Sequence, residues 1–124
     1  MRILLADHHP QALWALKLSL EAEPEFEVVG EATEADSLCA LVASNAPDLA
    51  LIDCDLPGKP IEDLITELHQ NPVKLIVVVM GSQPEYGRRM LKAGADAFVS
   101  KGDQPDWLLD VLHKFARRPR TNVK

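Results

Sequence analysis

The sequence lacks the features of membrane proteins and secreted proteins, and it lacks the cysteine spacings of zinc-binding and redox proteins. Its longest apolar run, Leu75–Met80, is far shorter than the roughly 20 residues that a helix needs to cross a bilayer, and the first residues show no basic segment followed by a signal-like core. The two cysteines, Cys39 and Cys54, have neither metal-ligand nor redox spacing and are too few for a disulfide framework. We therefore predict a cytoplasmic protein without membrane contact, in which both cysteines are reduced packing residues.

Basic residues are also scarce. There are 13 Lys and Arg against 19 Asp and Glu, which gives a formal net charge of -6. Binding to phosphate backbones needs clustered Lys and Arg, so this balance argues against a general nucleic-acid surface. What is present is the composition of an ordinary globular domain, with 47% hydrophobic and 26% charged residues in a chain of 124. We expect one domain over residues 1–118 and a basic tail, or the start of a linker, over 119–124.

Five short β-rich runs alternate with helical patterns along the chain. The predicted strands are Arg2–Ala6, Glu27–Glu31, Asp48–Ile52, Lys74–Val79 and Ala97–Ser100. Apolar residues three or four apart predict a helix after each strand, and we expect these helices to begin near Pro10, Thr33 or Glu34, Pro60, Pro84 and Pro105. This alternation predicts right-handed βαβ units and a parallel sheet covered by helices on both faces.

In such sheets ligands bind beyond the carboxyl ends of the strands, which selects Asp7, Asp53 and the loop after Val79 as candidate site positions. Asp53 lies at the end of an apolar strand in the segment LIDCDLPG, residues 51–58. A carboxylate there can accept a phosphoryl group if a divalent cation and a positive side chain offset the charge, and Lys101 can supply the positive side chain. The alternative is that Asp53 caps a loop and Lys101 is a solvated surface lysine.

Four segments resemble the receiver domain of two-component response regulators, and the resemblance covers nearly the whole chain. They are ILLADHHP near the start, VVGEA at 28–32, PDLALIDCDLPG at 47–58 and KAGADAFVSK at 92–101, and they look most like receivers joined to a helix-turn-helix output domain. The resemblance implies a flavodoxin-like, three-layer (βα)5 fold with a five-stranded parallel sheet in the order 2-1-3-4-5. It also implies a signalling module, not an enzyme, that takes phosphate from a histidine kinase or a phosphotransfer protein.

The resemblance assigns roles by position. Asp53 becomes the phosphoacceptor and Lys101 the phosphate-binding lysine, while Asp7, Asp53 and the backbone carbonyl of Asp55 would hold Mg²⁺. Signalling and homodimerisation would use the face formed by the fourth helix, the fifth strand and the fifth helix, with no direct DNA contact by this domain. The side chains expected on that face are Tyr86, Arg89, Phe98 and Trp107.

Among the departures from the family pattern, two bear on metal binding and switching. His8 replaces the second of two adjacent acids, and because Mg²⁺ prefers oxygen ligands we expect weaker Mg²⁺ binding. Mn²⁺ or another transition metal could bind instead, or His8 could face solvent with no metal role. Val79 stands, counting back from Lys101, where a Thr or Ser hydroxyl binds the phosphoryl group, so we expect weakened switching. Phe98 matches the aromatic switch position, and the alternative is a packed strand aromatic.

Two other functions stay open. One is a receiver that acts by protein–protein contact without phosphorylation. The other is a haloacid-dehalogenase-like phosphatase, because DCD at 53–55 resembles the Asp-x-Asp start of those enzymes and KGDQPD at 101–106 resembles their later acidic motif. This second match is poor, since those enzymes place Asp-x-Asp after their first strand, whereas here it follows the third and continues with LPG.

Overall fold

A computed structural model describes residues 1–70, 74–101 and 105–117. Within these ranges strands and helices alternate as β1 Arg2–Ala6, α1 Pro10–Glu21, β2 Glu27–Ala32, α2 Ala35–Asn45, β3 Leu49–Asp53, α3 Ile61–His69, β4 Ile76–Gly81, α4 Tyr86–Ala93, β5 Ala97–Ser100 and α5 Pro105–Ala116. The strands form one parallel sheet in the order β2-β1-β3-β4-β5, so the predicted flavodoxin-like fold is confirmed. Among the described residues, none of the helices has the length and apolar character that a bilayer crossing requires.

Three strands extend further toward the carboxyl edge of the sheet than the sequence predicts: β2, by one residue to Ala32, and β3 and β4, whose ends bear on the site. β3 includes Asp53, which pairs with Met80, and the Cys54 N–H donates to the Met80 carbonyl at 2.8 Å. β4 continues past Val79 to Gly81, whose carbonyl accepts the Lys101 N–H at 2.7 Å. Hydrogen bonds between neighbouring strands set these ends, and local hydrophobicity does not report them.

The sheet separates two apolar clusters, because successive side chains of a strand point to opposite faces. Leu51 and Met80 belong to the cluster that packs under α1 and α5, whereas Ile52 and Val79 belong to the cluster that packs under α2, α3 and α4. Burying one side chain of this size stabilises the fold by roughly 1.5–3 kcal/mol. The strand ends that carry polar side chains are therefore supported by packed apolar residues on both faces.

The loop that follows β3 is anchored to the start of α2. Glu34 caps α2, since its carboxylate accepts the Asp36 and Ser37 backbone N–H groups at 2.7 and 3.0 Å. The next residue, Ala35, donates its N–H to the Pro57 carbonyl at 2.9 Å. Gly58 has φ +114°, in the region that favours glycine, and a Cβ there would lie 3.1 Å from Ala35. These contacts hold the segment that leads away from Asp53.

Candidate functional site

Two carboxylates and one lysine meet at the carboxyl edge of the sheet. Asp7 follows β1, Asp53 ends β3 and Lys101 follows β5, and both carboxylates are buried, at 0% and 1% exposure. The Lys101 Nζ atom lies 3.1 Å from Asp7 Oδ2 and 3.3 Å from Asp53 Oδ1. The structure therefore brings together the three residues that the sequence placed at strand ends.

The charges within this group shift two pKa values. Burial acts to raise the pKa of Asp7, but the His9 backbone N–H, the Lys101 ammonium and the His9 ring outweigh burial and hold that pKa below its ordinary value. Burial acts to lower the pKa of Lys101, but its hydrogen bond to Asp7 and the charges of Asp53 and Asp7 raise that pKa above its ordinary value. At neutral pH the pocket thus contains an ionised Asp7 and a protonated Lys101.

Two imidazoles complete the group from the segment between β1 and α1. His9 binds Asp7 Oδ1 twice, through its backbone N–H at 2.9 Å and its ring Nδ1 at 3.1 Å, in a turn that fixes the carboxylate. His8 approaches the other carboxylate, with Nδ1 at 3.5 Å from Asp53 Oδ2. The His8 side chain is partly exposed, and its ring lies beside Asp53, the residue predicted to accept the phosphoryl group.

One oxygen of Asp53 has no hydrogen bond among the described residues. The Oδ1 atom accepts the Asp55 backbone N–H at 3.3 Å and lies beside Lys101. The Oδ2 atom is buried and unpartnered, because 3.5 Å from His8 is too long for a normal hydrogen bond. Leaving a buried polar atom unpaired costs roughly 1–3 kcal/mol. Oδ2 is thus available to a cation or an incoming electrophile.

The side chains around Asp53 include atoms that could hold a metal ion. Asp7, His8, His9 and Asp53 can each offer one ligand atom, and these atoms lie within 4.8 Å of one another. Asp53, Cys54 and Asp55 form a second group of this kind. Carboxylate oxygens suit Mg²⁺, whereas imidazole nitrogen suits transition metals, so the donor set fits a divalent cation without being the all-oxygen set that Mg²⁺ prefers.

The register of β4 decides which of its residues lies beside Asp53. Asp53 pairs with Met80. Met80 also lines a neighbouring cavity of about 300 Å³ under α1 and α5, which Asp7 and Lys101 border and Asp53 does not. Val79 is fully buried on the opposite face of the sheet, so the structure does not bring it to the pocket. The β4 residue that pairs with Asp53 is therefore Met80, and a switch role for Val79 stays a prediction. Counting back from Lys101 selects Val79 because it assumes a connection of fixed length between β4 and β5.

Phe98 lies on the same face of the sheet as Val79, its register partner. Its ring packs against two glycines: a Cβ on Gly81 would lie 2.9 Å from the ring Cε1 and Cζ atoms, and one on Gly87 would lie 3.1 Å from Cδ2. The sequence did not predict this role for the two glycines, because they lie in different elements and nothing in the sequence indicates that both contact Phe98. Phe98 is therefore a packed aromatic, and a switch role for it stays a prediction.

The face formed by α4, β5 and α5 carries both paired and exposed side chains. Arg89 forms an ion pair with Glu62 of α3, and its guanidinium carbon lies 5.8 Å from the centre of the Tyr86 ring. Leu91 and Trp107 are about half exposed, at 51% and 49%. Three residues of the KGDQPD segment, 102–104, and the predicted tail at 119–124 lie outside the described residues.

Both cysteine thiols are weakly acidic. Burial, followed by the charges of Asp55 and Asp53, raises the pKa of Cys54 to about 11, and burial and then Glu67 raise that of Cys39 to about 11. Because the thiolate is the reactive form, a rise from 9.0 to about 11 should slow reaction with Ellman's reagent roughly a hundredfold at neutral pH. The urea-unfolded chain provides the control rate. Equal rates in the folded and unfolded protein would contradict this prediction.

The sequence is similar to a known protein family and to characterised bacterial regulators. Residues 3–113 match the family described as the response regulator receiver domain. The nitrate/nitrite response regulator protein NarL of Escherichia coli (strain K12) is 32% identical over 116 residues, which cover 92% of this chain and 54% of NarL. The transcriptional regulatory protein DesR of Bacillus subtilis (strain 168) is 28% identical over 110 residues, which cover 89% of this chain and 55% of DesR. The chain spans about half the length of these relatives.

Solved structures share the fold. A two-component response regulator of the LuxR family from Aurantimonas sp. SI85-9A1 superposes with a TM-score of 0.86 at 24% identity, over 93% of this chain and 84% of that one. A CheY-like response regulator receiver domain protein from Methanospirillum hungatei JF-1 gives a TM-score of 0.81 at 27% identity, over 93% and 92%. Since the family match extends over residues 3–113, this chain belongs to the response regulator receiver domain family.

Proposed function

We propose that this receiver accepts a phosphoryl group on Asp53 from a phosphohistidine of a histidine kinase or phosphotransfer protein. The observation that carries the proposal is the state of the Asp53 carboxylate. It is buried, its Oδ1 atom lies 3.3 Å from the Lys101 ammonium, and its Oδ2 atom has no hydrogen bond among the described residues. A loop cap would use its oxygens on backbone N–H groups alone, whereas here only Oδ1 accepts one, from Asp55; the carboxylate also faces the Lys101 cation, and Oδ2 has no partner among the described residues.

The transfer needs one bond to form and one to break. An oxygen of Asp53 bonds to phosphorus while the bond from phosphorus to the donor's imidazole nitrogen breaks, and the electron pair of that bond leaves with the imidazole. The Lys101 Nζ atom is placed to offset the charge on the phosphoryl oxygens. A divalent cation held by Asp7, Asp53 and the Asp55 carbonyl would supply further positive charge at that point. His9 keeps the Asp7 carboxylate in position.

We also infer that Mg²⁺ binding and switching are weakened. His8 puts a nitrogen where receivers have an acidic oxygen, and Mg²⁺ gains little from imidazole. Met80 replaces Val79 in this proposal as the β4 residue opposite Asp53, and its thioether cannot donate a hydrogen bond to a phosphoryl oxygen. Phe98 belongs to the cluster on the other face of the sheet, so its response to Asp53 depends on the backbone of β4.

The output surface is proposed to be the face formed by α4, β5 and α5, including a homodimer through that face. The half-exposed Leu91 and Trp107 side chains support a contact role, because burying them would remove apolar surface from water. A net charge of -6 supports the view that this domain does not itself bind DNA. A cytoplasmic location and a domain boundary at residue 118 complete the proposal.

A second candidate function is a receiver that acts by contact alone. The position of the His8 ring, 3.5 Å from the free Asp53 oxygen, favours it, because the imidazole occupies space beside the acceptor. The phosphatase alternative has no comparable support, since Asp53 ends β3 and not the first strand of the sheet.

The test is the intact mass after incubation with acetyl phosphate and either Mg²⁺ or Mn²⁺. We expect a gain of one phosphoryl group in the wild type, none in Asp53→Asn, and an unchanged gain in Asp55→Asn, which keeps the exposed neighbour's backbone carbonyl. Circular dichroism confirms that each variant is folded. No gain in the folded wild type with either metal would overturn phosphoacceptance and favour the contact-only receiver. Turnover of an aryl phosphate that disappears in Asp53→Asn would instead support the phosphatase.

A further inference from the structure

Two atoms at the mouth of the pocket face each other without forming a hydrogen bond. His8 Nδ1 and Asp53 Oδ2 are 3.5 Å apart, and Oδ2 is buried without a partner among the described residues. Hydrogen bonds between nitrogen and oxygen are commonly about 2.7–3.2 Å long. Two ligands that each lie about 2.0–2.1 Å from one tetrahedral ion are about 3.4 Å apart. The separation thus fits two ligands of one ion better than a donor and its acceptor.

The other contacts of the pocket leave this position open for a cation. Lys101 engages Asp53 Oδ1 and Asp7 Oδ2, so it does not contact the oxygen that faces His8. Asp7 can supply a third ligand, because its carboxylate lies within 4.8 Å of the other ligand atoms. His9 holds that carboxylate from outside, as supporting residues around metal sites commonly do. Two buried carboxylates against one ammonium also leave a negative charge that a cation would offset.

We propose that the pocket is a mixed nitrogen and oxygen site for a divalent transition-metal ion, with His8 Nδ1, Asp53 Oδ2 and the Asp7 carboxylate as its ligands. The inference rests on the proposed function in that it names the cation of the phosphoacceptor site. Imidazole is a good ligand for Zn²⁺, Ni²⁺ and Co²⁺, whereas Mg²⁺ requires near-octahedral oxygen coordination. His8 therefore shifts the preference of the site from Mg²⁺ to ions of the zinc type.

Two other clusters of ionisable side chains provide controls. Cys54 shares the second candidate group with Asp53 and Asp55, but its sulfur lies near Gly81, beneath the Phe98 ring, on the far face of the sheet. His113 lies between Glu23, with Nε2 at 2.9 Å from its carboxylate, and Glu25, at the opposite end of the molecule from the pocket. Ligation by either cluster would survive removal of the His8 ring.

The experiment is calorimetric titration of the untagged chain with Zn²⁺ alone and with Mg²⁺ alone, in the absence of a phosphodonor. We expect one Zn²⁺ per chain, bound more tightly than Mg²⁺. His8→Ala should weaken Zn²⁺ binding at least about tenfold, since removing even a residue that only supports a metal ligand lowers metal affinity by that much. His8→Asp should strengthen Mg²⁺ binding, and His113→Gln and Cys54→Ser should change neither. The visible absorption of bound Co²⁺ gives a second readout, which His8→Ala should abolish.

The outcomes separate this inference from phosphoacceptance. Absence of Zn²⁺ binding, unchanged Zn²⁺ affinity in His8→Ala, or loss of binding in His113→Gln or Cys54→Ser would each overturn the metal site. None of these results bears on the mass gain at Asp53, which is measured with Mg²⁺ or Mn²⁺ and a phosphodonor.

Discussion

Lys101→Met should lower the free energy of unfolding by about 3 kcal/mol at neutral pH, as measured by urea denaturation. Methionine keeps the apolar stem but removes the ammonium, so Asp7 and Asp53 stay buried without the charge that lies 3.1 and 3.3 Å from them. The expected loss is at the low end for breaking a buried pair, because 31% of the Lys101 side chain is exposed.

The destabilisation caused by Lys101→Met should become smaller at extreme pH, at both the acidic and the basic end. The folded-state pKa of Asp7 is below 3.8, so its stabilising contribution is present above that value and is lost as the pH falls through the folded-state pKa. The folded-state pKa of Lys101 is above 10.5, so its contribution is present below 10.5 and is lost as the pH rises through the folded-state pKa. The difference between wild type and variant should therefore be flat through neutral pH and shrink only at the two extremes.

Two controls isolate the pocket from general effects of charge. Lys114→Met removes an exposed lysine of α5 and should change stability by about 0.5 kcal/mol or less. Lys101→Met made in an Asp53→Asn background should cost less than in the wild type, because one buried charge has already been removed. Equal stability of Lys101→Met and wild type would show that the ammonium does not compensate the buried carboxylates.

Gly81→Ala should destabilise the domain by about 1–3 kcal/mol and displace the Phe98 ring. The added methyl would lie 2.9 Å from two ring atoms and 3.1 Å from the Cys54 sulfur, and Gly87 lies so close to another side of the ring that a Cβ there would be 3.1 Å from Cδ2. Urea denaturation measures the cost, and the ring proton shifts of Phe98 report its displacement.

A double-mutant cycle tests whether the ring is the cause. In a Phe98→Ala background the methyl at Gly81 has room, so its cost should fall well below that in the wild type. Ser82→Ala changes the exposed next residue and should leave both stability and the Phe98 signals unchanged. Strictly additive costs for Gly81→Ala and Phe98→Ala would contradict the packing argument.

The residues that sequence reasoning placed in the pocket are those set by topology. Asp7, Asp53 and Lys101 each lie at the carboxyl end of a strand, and parallel strands bring those ends to one edge. For the start of α2 the sequence left Thr33 or Glu34 open, and the structure has Glu34 as the cap, since its side chain accepts from N–H groups two and three residues ahead.

The parts of the site that sequence reasoning missed depend on non-local geometry. Whether Val79 or Met80 lies beside Asp53 is decided by strand register, which no local pattern of hydrophobicity contains. The direction of the His8 ring is a matter of side-chain rotamer, so the sequence left both metal ligation and solvent exposure open. A resemblance located His8 in the site, but only coordinates show that its ring approaches the Asp53 oxygen.

The alternation of side chains along β4 has a consequence for the proposed coupling between Asp53 and Phe98. Met80 is opposite the acceptor on one face of the sheet, and the next residue, Gly81, lies under the Phe98 ring on the other face. These two residues share one peptide unit, and a planar peptide cannot turn at one end without turning at the other. One route from Asp53 to Phe98 therefore runs through the single peptide between Met80 and Gly81, so the switching proposed for Phe98 would depend on how far that peptide can rotate within β4.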